Sequence, residues 1–256
     1  MMGPEQRRRK IVELVKNADG LSVSKIATEL DVSETTVRRD LDDLDDRDLI
    51  ERTHGGAIPV TTVGSEPSFD ERAVQGIETK RVIGTKAATE IKEGQVVFFD
   101  SGTTTFQIAK EAPKDGSFMG VTNSPLHSIE LNKREGNVEV TGGSLRTKSM
   151  GLVGSTAEDY VRSSNFDIAF IGTMGIDEQG IFTVHVEPEA SLKRTLIANS
   201  AKTIVVADSD KFGEKNFREF ATFDDIDGVV TDASVPEQFT EIFEEVETEL
   251  IVAESD

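Results

Sequence analysis

Short apolar runs alternate with segments of helical length from residue 96 almost to the end of the chain. The apolar runs predict strands at 96–99, 118–122, 138–141, 167–172, 203–207, 228–231 and 250–252. Helices are predicted at 77–91, 104–111, 125–132, 156–163, 189–200 and 237–244. Strands that alternate with helices favour an α/β fold with a doubly wound, mainly parallel sheet and helices on both of its faces.

The first 60 residues carry a different pattern, that of three short helices and a hairpin. A helix of about 14 residues is expected from Pro4, which a first helical turn tolerates. Ser22 and Ser33 are expected to cap a second and a third helix. The segments 49–53 and 57–60 are predicted strands around the turn at His54-Gly55-Gly56. A hairpin behind three helices is the wing of a winged helix-turn-helix, which binds DNA; an interaction or dimerisation module is the alternative.

The predicted third helix has one apolar stripe, formed by Val37, Leu41 and Leu44 at positions i, i+4 and i+7. Its early turns therefore face outward, and the N-terminal part of a recognition helix is the part that enters the major groove. Arginine there can pair with guanine, and threonine can contact a base edge or a phosphate. The predicted DNA-binding residues are Ser33, Glu34, Thr35, Thr36, Arg38 and Arg39, with Arg52 and His54 from the wing.

The chain is strongly acidic, with 28 Lys and Arg residues against 48 Asp and Glu residues and a net charge of −20. The acid excess is weakest in the predicted DNA-binding part, since residues 1–40 contain eight basic and seven acidic residues. Acidic residues in every segment are typical of proteins from salt-accumulating halophiles; an ordinary acidic protein is the alternative. High salt would also screen the repulsion between an acidic protein and DNA.

The composition excludes several classes of site. No cysteine is present, which excludes disulfides, thiolate zinc sites and cysteine nucleophiles. The three histidines, at 54, 127 and 185, are scattered, so neither a metal site nor a cofactor is expected. The polar, basic start is not a signal peptide, and no apolar run approaches 18 residues. A cytoplasmic protein without a membrane partner is therefore expected.

Polar loops follow the predicted strands. In a parallel sheet such loops meet at the carboxyl edge, where ligands bind. The loop after the first strand reads Asp100, Ser101, Gly102, Thr103, Thr104 and Thr105, and a helix follows. Helix-start amides, hydroxyls and a glycine can hold an oxyanion; an ordinary capped turn is the alternative. Later strand ends bring Asn123, Gly142, Gly143, Asp208 and Lys211. Lys211 is either a point charge for phosphate or a surface lysine in a turn.

The sequence Val-Ser-Glu-Thr-Thr-Val-Arg-Arg-Asp-Leu (32–41), followed by Arg-Thr-His-Gly-Gly-Ala (52–57), resembles the DeoR family of bacterial and archaeal repressors. Asp48 departs from the pattern, because the family usually has glycine there. The resemblance extends over about residues 5 to 252, and within the family it is strongest to GlpR-like regulators of haloarchaeal type. It implies a winged helix-turn-helix at 1–60, a linker at 61–76 and an α/β sensor domain at 77–256. That domain is related in fold to ribose-5-phosphate isomerase and the CoA transferases.

The resemblance also implies a function and a site. It implies a repressor of sugar or glycerol metabolism genes that binds double-stranded operator DNA, responds to a phosphorylated sugar or similar metabolite, and forms a dimer or larger homo-oligomer. Asp100 and the residues 101–105 match the phosphate loop. Further rim residues are Asn123, Gly142, Gly143, Glu189, Asp208 and Lys211, and nearby basic residues are Arg146, Lys148 and Lys193.

A sugar-phosphate isomerase fused to a DNA-binding module is the alternative function. Such an enzyme needs a carboxylate base that moves a proton between adjacent carbons. The corresponding stretch, 171–177, has no carboxylate before Asp177, although Glu189 and Asp208 remain available as bases. The attached DNA-binding part favours sensing, so we expect no enzymatic activity.

Overall fold

The computed structural model describes residues 3–18, 20–45, 47, 49–53, 55–58, 66–233 and 235–254. The chain divides into two compact units, Met1–Ser65 and Glu66–Asp256. One apolar cluster lies in the first unit, and two larger clusters lie in the second. Among the described residues, every helix is too short or too polar to cross a bilayer.

The first unit has three helices and a small antiparallel sheet. Its elements are α1 (Pro4–Asn17), β1 (Leu21–Ser22), α2 (Val23–Leu30), α3 (Glu34–Asp45), β2 (Glu51–Arg52) and β3 (Gly56–Ile58), with β3 between β1 and β2. Both predicted caps are confirmed, because Ser22 Oγ accepts from the Lys25 amide at 3.3 Å and Ser33 Oγ from the Thr36 amide at 3.2 Å. The predicted stripe on α3 is also confirmed: Val37 and Leu41 are completely buried, next to Ile11 and Ile26.

The second unit is built on a seven-stranded parallel sheet with the order β15-β14-β12-β9-β4-β5-β6. The strands of the unit are β4 (Val96–Phe99), β5 (Met119–Thr122), β6 (Val138–Val140), β7 (Ser144–Arg146), β8 (Gly151–Val153), β9 (Ile168–Gly172), β10 (Gly175–Ile176), β11 (Ile181–Val184), β12 (Thr203–Val206), β13 (Arg218–Thr222), β14 (Gly228–Asp232) and β15 (Glu249–Ala253). The predicted fold class is confirmed, and the seven predicted strands are the seven of this sheet.

Helices cover both faces of the sheet. They are α4 (Phe69–Val74), α5 (Ile77–Ala88), α6 (Thr103–Glu111), α7 (Pro125–Leu131), α8 (Ser155–Arg162), α9 (Glu187–Ala198) and α10 (Glu237–Glu245). Alternate residues of β4, β9, β12 and β14 enter the two apolar layers, so that Phe98 faces one layer and Phe99 the other. Helix α5 lies very close to α6, because a Cβ atom added at Gly84 would come within 2.6 Å of Gln107 Cβ.

The segment 61–76 differs from the predicted linker, because its second half folds as part of the sensor unit. Helix α4 begins with a capping box, in which Ser68 Oγ accepts from the Glu71 amide and the Glu71 carboxylate accepts from the Ser68 amide. Phe69 is buried, and its ring packs against that of Phe106 with centroids 6.1 Å apart. The polar composition of the segment conceals the short capping signature that starts this helix.

In the second unit, the prediction also omitted five short strands. Strands β10, β11 and β13 form a separate antiparallel sheet, and β7 pairs with β8 as a hairpin. The register of β11 against β13 shifts between Phe182 and Thr183, which breaks the alternation that marks a strand in sequence. Strands of two to five residues with mixed polarity leave no periodic signal.

The order of the parallel sheet places a switch point between β4 and β9. From β4 the chain builds outward through β5 and β6, then returns to β9 and builds outward on the opposite side through β12, β14 and β15. The loops that leave β4 and β9 therefore diverge at the carboxyl edge. Such a divergence opens a crevice, which is where open α/β sheets bind ligands.

Candidate functional site

A cavity lies at this switch point, and it is lined largely by residues that follow the strand ends. Helix α6 begins at its rim with Thr103, and the amides of a first helical turn have no acceptor within the helix. The side chains of Thr103 and Thr104 are buried and border the cavity. The predicted effector residues that line the cavity are Ser101, Gly102, Thr103, Thr104, Glu189, Asp208 and Lys211.

Three other predicted residues lie behind the cavity wall and fix its shape. Thr105 Oγ1 donates to the Asp100 carbonyl at 2.6 Å, and the Ser101 amide donates to Asn123 Oδ1 at 2.8 Å. Asp100 is paired with Lys193, which itself lines the cavity, and the two side chains are only 3% and 6% exposed. The Gly172 amide donates to Asp100 Oδ2 at 3.1 Å. Asp100 therefore links the ends of β4 and β9 across the switch point.

Gly142 and Gly143, also predicted as rim residues, do not line the cavity. Both adopt a positive φ, of 72° and 111°, where the chain turns from β6 into β7. A Cβ atom at Gly143 would approach the Val153 carbonyl oxygen to 2.7 Å, so glycine is required there by backbone packing. Their sequence signal reflects a tight turn at the base of the β7–β8 hairpin.

Of the three basic residues predicted near the site, one lines the cavity and the other two, Arg146 and Lys148, do not. Lys193 lines the cavity, and its ammonium group is neutralised by Asp100. The Arg146 guanidinium pairs with Glu189 at 2.6 Å and with Glu66. The Lys148 side chain does not line the cavity, and its carbonyl accepts from the Phe69 amide at 2.7 Å.

Two buried cations at the cavity were missed by the sequence analysis. The Lys80 ammonium group donates to the carbonyl oxygens of Arg72 and Gln75 at 2.6 and 2.7 Å. The Arg72 guanidinium contacts the Pro67 carbonyl and, at 3.4 Å, Met174 Sδ. Within the described part of the chain, neither has a carboxylate at ion-pair distance. Lys80 was detectable, because it shares the buried face of α5 with Ile83 and Ala87; Arg72 was concealed in the predicted linker.

The electrostatics of the cavity reflect that burial. Burial, together with the neighbouring cations Lys211 and Arg72, lowers the pKa of Lys80 to about 8, against opposing effects from Asp208 and Asp210. Burial likewise lowers the pKa of Arg72. Positive charge in this cavity is therefore held at a cost that a bound anion would remove.

The outward face of α3 carries the predicted DNA-binding residues. Arg38 is 61% exposed and pairs with Glu34 at 3.0 Å, one helical turn away. Arg39 is exposed and has no ion pair among the described residues. Thr35 and Ser33 are exposed as well, and Ser33 Oγ lies 2.9 Å from Thr36 Oγ1. This face therefore presents one unpaired and one surface-paired arginine to solvent.

The predicted wing residue Arg52 is held against α3. Its guanidinium donates to Asp42 Oδ1 at 2.8 Å and to the Arg38 carbonyl at 3.1 Å. His54, the other predicted wing residue, lies outside the described residues. Arg52 therefore orients the hairpin on the helix, and contact with DNA would compete with Asp42.

The inner face of α3 is fixed to α1 by a buried carboxylate. Asp40 is 2% exposed and accepts from Arg7 Nε at 2.5 Å and from Arg8 Nε at 3.2 Å. The hydrogen bond to Asp40 raises the pKa of Arg7, with burial opposing it. This contact sets the angle at which α1 supports the exposed face of α3.

Two family models match most of the chain. A DeoR-like helix-turn-helix domain matches residues 7–63, and a DeoR C terminal sensor domain matches residues 75–233. The chain belongs to the DeoR family. The sensor-domain match begins just before α5. It includes every residue that lines the cavity except Glu66 and Arg72.

Curated DeoR-family relatives match over nearly their full length. The HTH-type transcriptional regulator GlpR of Haloferax volcanii is 47% identical over 91% of this chain and 92% of its own. The glycerol-3-phosphate regulon repressor of Escherichia coli strain K12 is 32% identical over 92% of this chain and 93% of its own. These relatives are transcriptional regulators, and the Haloferax relative agrees with the halophilic character predicted from the acidic composition.

Among solved structures, ribose 5-phosphate isomerase a from Methanocaldococcus jannaschii matches 54% of this chain and 55% of its own, with a TM-score of 0.41 and 14% identity. So distant a likeness bears on neither activity nor ligand. The isomerase alternative gains no support from Asp177, because its carboxylate does not line the cavity. It accepts from Lys215 Nζ at 2.8 Å and from the Gln179 and Ile181 amides.

Proposed function

We propose that this DeoR-family regulator is a cytoplasmic repressor of sugar or glycerol metabolism genes. In this proposal, the first unit binds a double-stranded DNA operator, and a phosphorylated sugar or similar metabolite binds the crevice of the second unit. Effector binding then releases the operator, as the family resemblance implies. The single observation that carries the effector assignment is the cavity at the switch point, where the start of α6 meets buried cations.

The DNA-binding part of the proposal rests on the outward face of α3. Arg39 is free to donate to a guanine edge or a phosphate, and Arg38 can exchange Glu34 for either. Thr35 and Ser33 lie beside them at the start of the helix, where helix-start amides also favour phosphate. Arg38 and Arg39 therefore divide base recognition and phosphate contact between them.

The effector part rests on the complementary ends of one cavity. Free amides and hydroxyls at the start of α6, together with Lys211, suit a phosphate. Glu189 and Asp208 supply acceptors for the hydroxyl groups of a polyol. A cavity that provides both kinds of partner discriminates a phosphorylated sugar from inorganic phosphate and from the free sugar.

We further propose that the protein acts as a dimer or larger homo-oligomer. One short recognition helix reads only a few base pairs, and two-fold pairing doubles the site across an inverted repeat. The effector then acts by favouring a different spacing of the two DNA-binding units, which requires different effector affinity in the two arrangements. Light scattering at micromolar concentration in high salt tests this, and a monomer that binds a half-site tightly would contradict it.

The deciding experiment is a DNA-shift titration at molar salt, with an operator fragment selected from the organism's own promoters. The panel contains glycerol 3-phosphate, fructose 1-phosphate, fructose 6-phosphate, glucose 6-phosphate and the unphosphorylated parent of each. At least one phosphorylated compound should release the operator, and its parent should not. Equal release by the free sugars would overturn the phosphate assignment.

Two variants locate the response in the cavity. Thr103→Phe fills the space beside the start of α6, and Lys211→Glu places a negative charge where the phosphate is proposed to bind. Both should lose release by the active compound. Normal release in both variants would show that the effector binds elsewhere.

A further inference from the structure

A cluster of three charged side chains joins the cavity to the residue at which the chain enters the second unit. One terminal nitrogen of Arg146, on β7, donates to Glu189 Oε1 at 2.6 Å and to Glu66 Oε1 at 3.1 Å, and the other donates to Glu66 Oε2. Both carboxylates line the cavity, and the side chains of Glu189 and Glu66 are only 11% and 7% exposed. The cluster therefore has one carboxylate on α9 and the other at the first residue of the unit.

Arg146 is carried by the β7–β8 hairpin, which is attached to the strand ends that form the cavity. The Leu152 amide donates to the Asn123 carbonyl at 2.6 Å. Gly151 packs closely on the loop after β4, because a Cβ atom added there would come within 2.3 Å of Ser101 Oγ. The hairpin therefore holds Arg146 at the side of the cavity.

The same hairpin contacts the entry of the unit at a second point. The Phe69 amide, three residues after Glu66, donates to the Lys148 carbonyl at 2.7 Å. The Phe69 side chain is buried, which fixes the first turn of α4. Glu66 and α4 are therefore tied to the hairpin by an ion pair and by a backbone hydrogen bond. They are also the first described part of the second unit that the chain reaches after the first unit.

The two carboxylates hold Arg146 in different ways. Glu66 faces the guanidinium with both oxygens, which is the two-pronged geometry that favours an arginine–carboxylate pair. Glu189 uses one oxygen, and that bond is the shorter of the two made by the nitrogen they share. Burial alone would raise the pKa of Glu189, but Ser149, Lys193 and Arg146 outweigh it and lower the pKa. Glu189 is therefore an ionised acceptor, to which a ligand hydroxyl can only donate.

We propose that Arg146 is a positioning residue that couples effector binding to operator release. The inference rests on the proposed function, because it takes Glu189 to accept from hydroxyl groups of the effector. Those hydroxyl groups compete with Arg146 for Glu189, and the guanidinium then moves fully onto Glu66. Glu66 is thereby held more firmly where the chain arrives from the DNA-binding unit, which biases the spacing of two such units.

The test measures this coupling directly. The active phosphorylated compound is titrated calorimetrically into the full chain at molar salt, once alone and once with the chain saturated by the operator fragment. Because coupling is reciprocal, an effector that releases the operator must bind more weakly when the operator is present. The ratio of the two affinities should be about fivefold or more in the wild type. A change in absolute affinity alone leaves this ratio unaltered.

Two variants interrupt the cluster in different ways. Glu66→Gln removes the charge at the entry and leaves Arg146 with Glu189. Arg146→Lys keeps the charge but replaces the two-pronged group with a single ammonium group. Both should bring the ratio close to one. Glu130→Gln is the matched control, because Glu130 is also a largely buried carboxylate between two cations, Lys133 and Arg134, and does not line the cavity.

The control should keep the ratio of the wild type. If both cluster variants also keep it, Arg146 does not carry the coupling and the inference is overturned. A lower ratio in Glu130→Gln as well would show a general effect of stability and would equally overturn it. Thermal unfolding of all three variants establishes that they are folded at the temperature of the titrations.

Hydrogen exchange of the wild type gives a second measurement, which needs no variant. The Phe69 amide should exchange more slowly when the active compound is bound, because the hairpin and the entry are then held together more firmly. Unchanged exchange would contradict the inference. If no phosphorylated compound binds the wild type, the proposed function and this inference both fail. If one binds and releases the operator, but the cluster variants keep the ratio, only the inference fails.

Discussion

The two units place their cations in opposite environments. On α3 and its hairpin, Arg38 and Arg52 lie at the surface and pair with Glu34 and Asp42. At the cavity of the second unit, Arg72 and Lys80 are buried and have no carboxylate at ion-pair distance among the described residues. Two surface arginines of the first unit are therefore paired with the chain's own carboxylates, whereas the two buried cations at the cavity are not.

This difference separates two ways of binding a phosphate. An exposed pair contributes at most about 1 kcal/mol and is screened by salt, so exchanging Glu34 for DNA, as proposed for Arg38, would cost little. A buried cation is hardly screened, and it remains attractive to an anion at salt concentrations that weaken DNA contacts. We therefore expect operator affinity to fall steeply with salt and effector affinity to change much less.

The largest effect should come from breaking the buried pair of Asp100 and Lys193 at the cavity wall. Asp100→Asn leaves the Lys193 charge without its partner, and we expect the sensor unit to lose about 3–5 kcal/mol of unfolding free energy. The matched exposed pair is Asp159 with Arg162, and Asp159→Asn should cost less than about 1 kcal/mol. Urea denaturation followed by circular dichroism measures both, and equal losses would contradict the distinction between buried and exposed pairs.

The next effect concerns operator affinity. Arg38→Ala and Arg39→Ala should each cost about 1–3 kcal/mol of binding free energy, and the variant that loses a guanine contact should also relax specificity at one base pair. Arg162→Ala is the control, since Arg162 is 59% exposed and pairs one turn away with Glu158, much as Arg38 does with Glu34. Fluorescence anisotropy with labelled operator gives the affinities. Unchanged affinity in the double variant would remove α3 from the DNA interface.

The smallest effect is a pH dependence of effector binding. We expect only the charged form of Lys80 to attract the effector's phosphate. The pKa of Lys80 is about 8, because burial, Lys211 and Arg72 outweigh the opposing effects of Asp208 and Asp210. Affinity should change little around pH 7, where the phosphate is largely dianionic and Lys80 is charged, and should fall by about tenfold from pH 7 to pH 9 as Lys80 loses its proton. Lys80→Arg keeps its charge and should flatten the profile in calorimetric titrations. A flat profile in the wild type would exclude Lys80 from the site.

The parallel sheet was predictable because its strands are buried on both faces and appear as unbroken apolar runs such as Val96–Phe99. The helix caps at Ser22 and Ser33 were predictable for a local reason, since a cap depends on neighbours within three residues. The loop 100–105 was recognisable from its hydroxyls and glycine, and most of it lines the cavity.

The parts of the fold and of the site that could not be predicted depend on contacts between residues that are distant in the sequence. Nothing local shows that Arg72 reaches Met174 or that Asp100 meets Lys193. Gly142 and Gly143 resembled ligand-binding glycines, but close packing against Val153 and Ala157 explains Gly143. Glycine near a strand end therefore indicates a backbone constraint, and only the fold distinguishes a turn from a ligand cradle.

The reversal of strand order between β4 and β9 has a consequence for how such regulators diversify. The opening at the edge of the sheet is created by the path of the backbone, so it persists whatever side chains border it. If the cavity is the effector site, as proposed, substitutions at Thr103, Glu189 or Asp208, which line it, should change the metabolite without rearranging the framework. Recognition of the operator is encoded some 60 residues or more earlier in the chain. After gene duplication, one copy could therefore come to respond to a new metabolite while it still binds its old operators, or keep its metabolite and bind new operators. This separation makes the architecture a suitable starting point for engineered metabolite sensors.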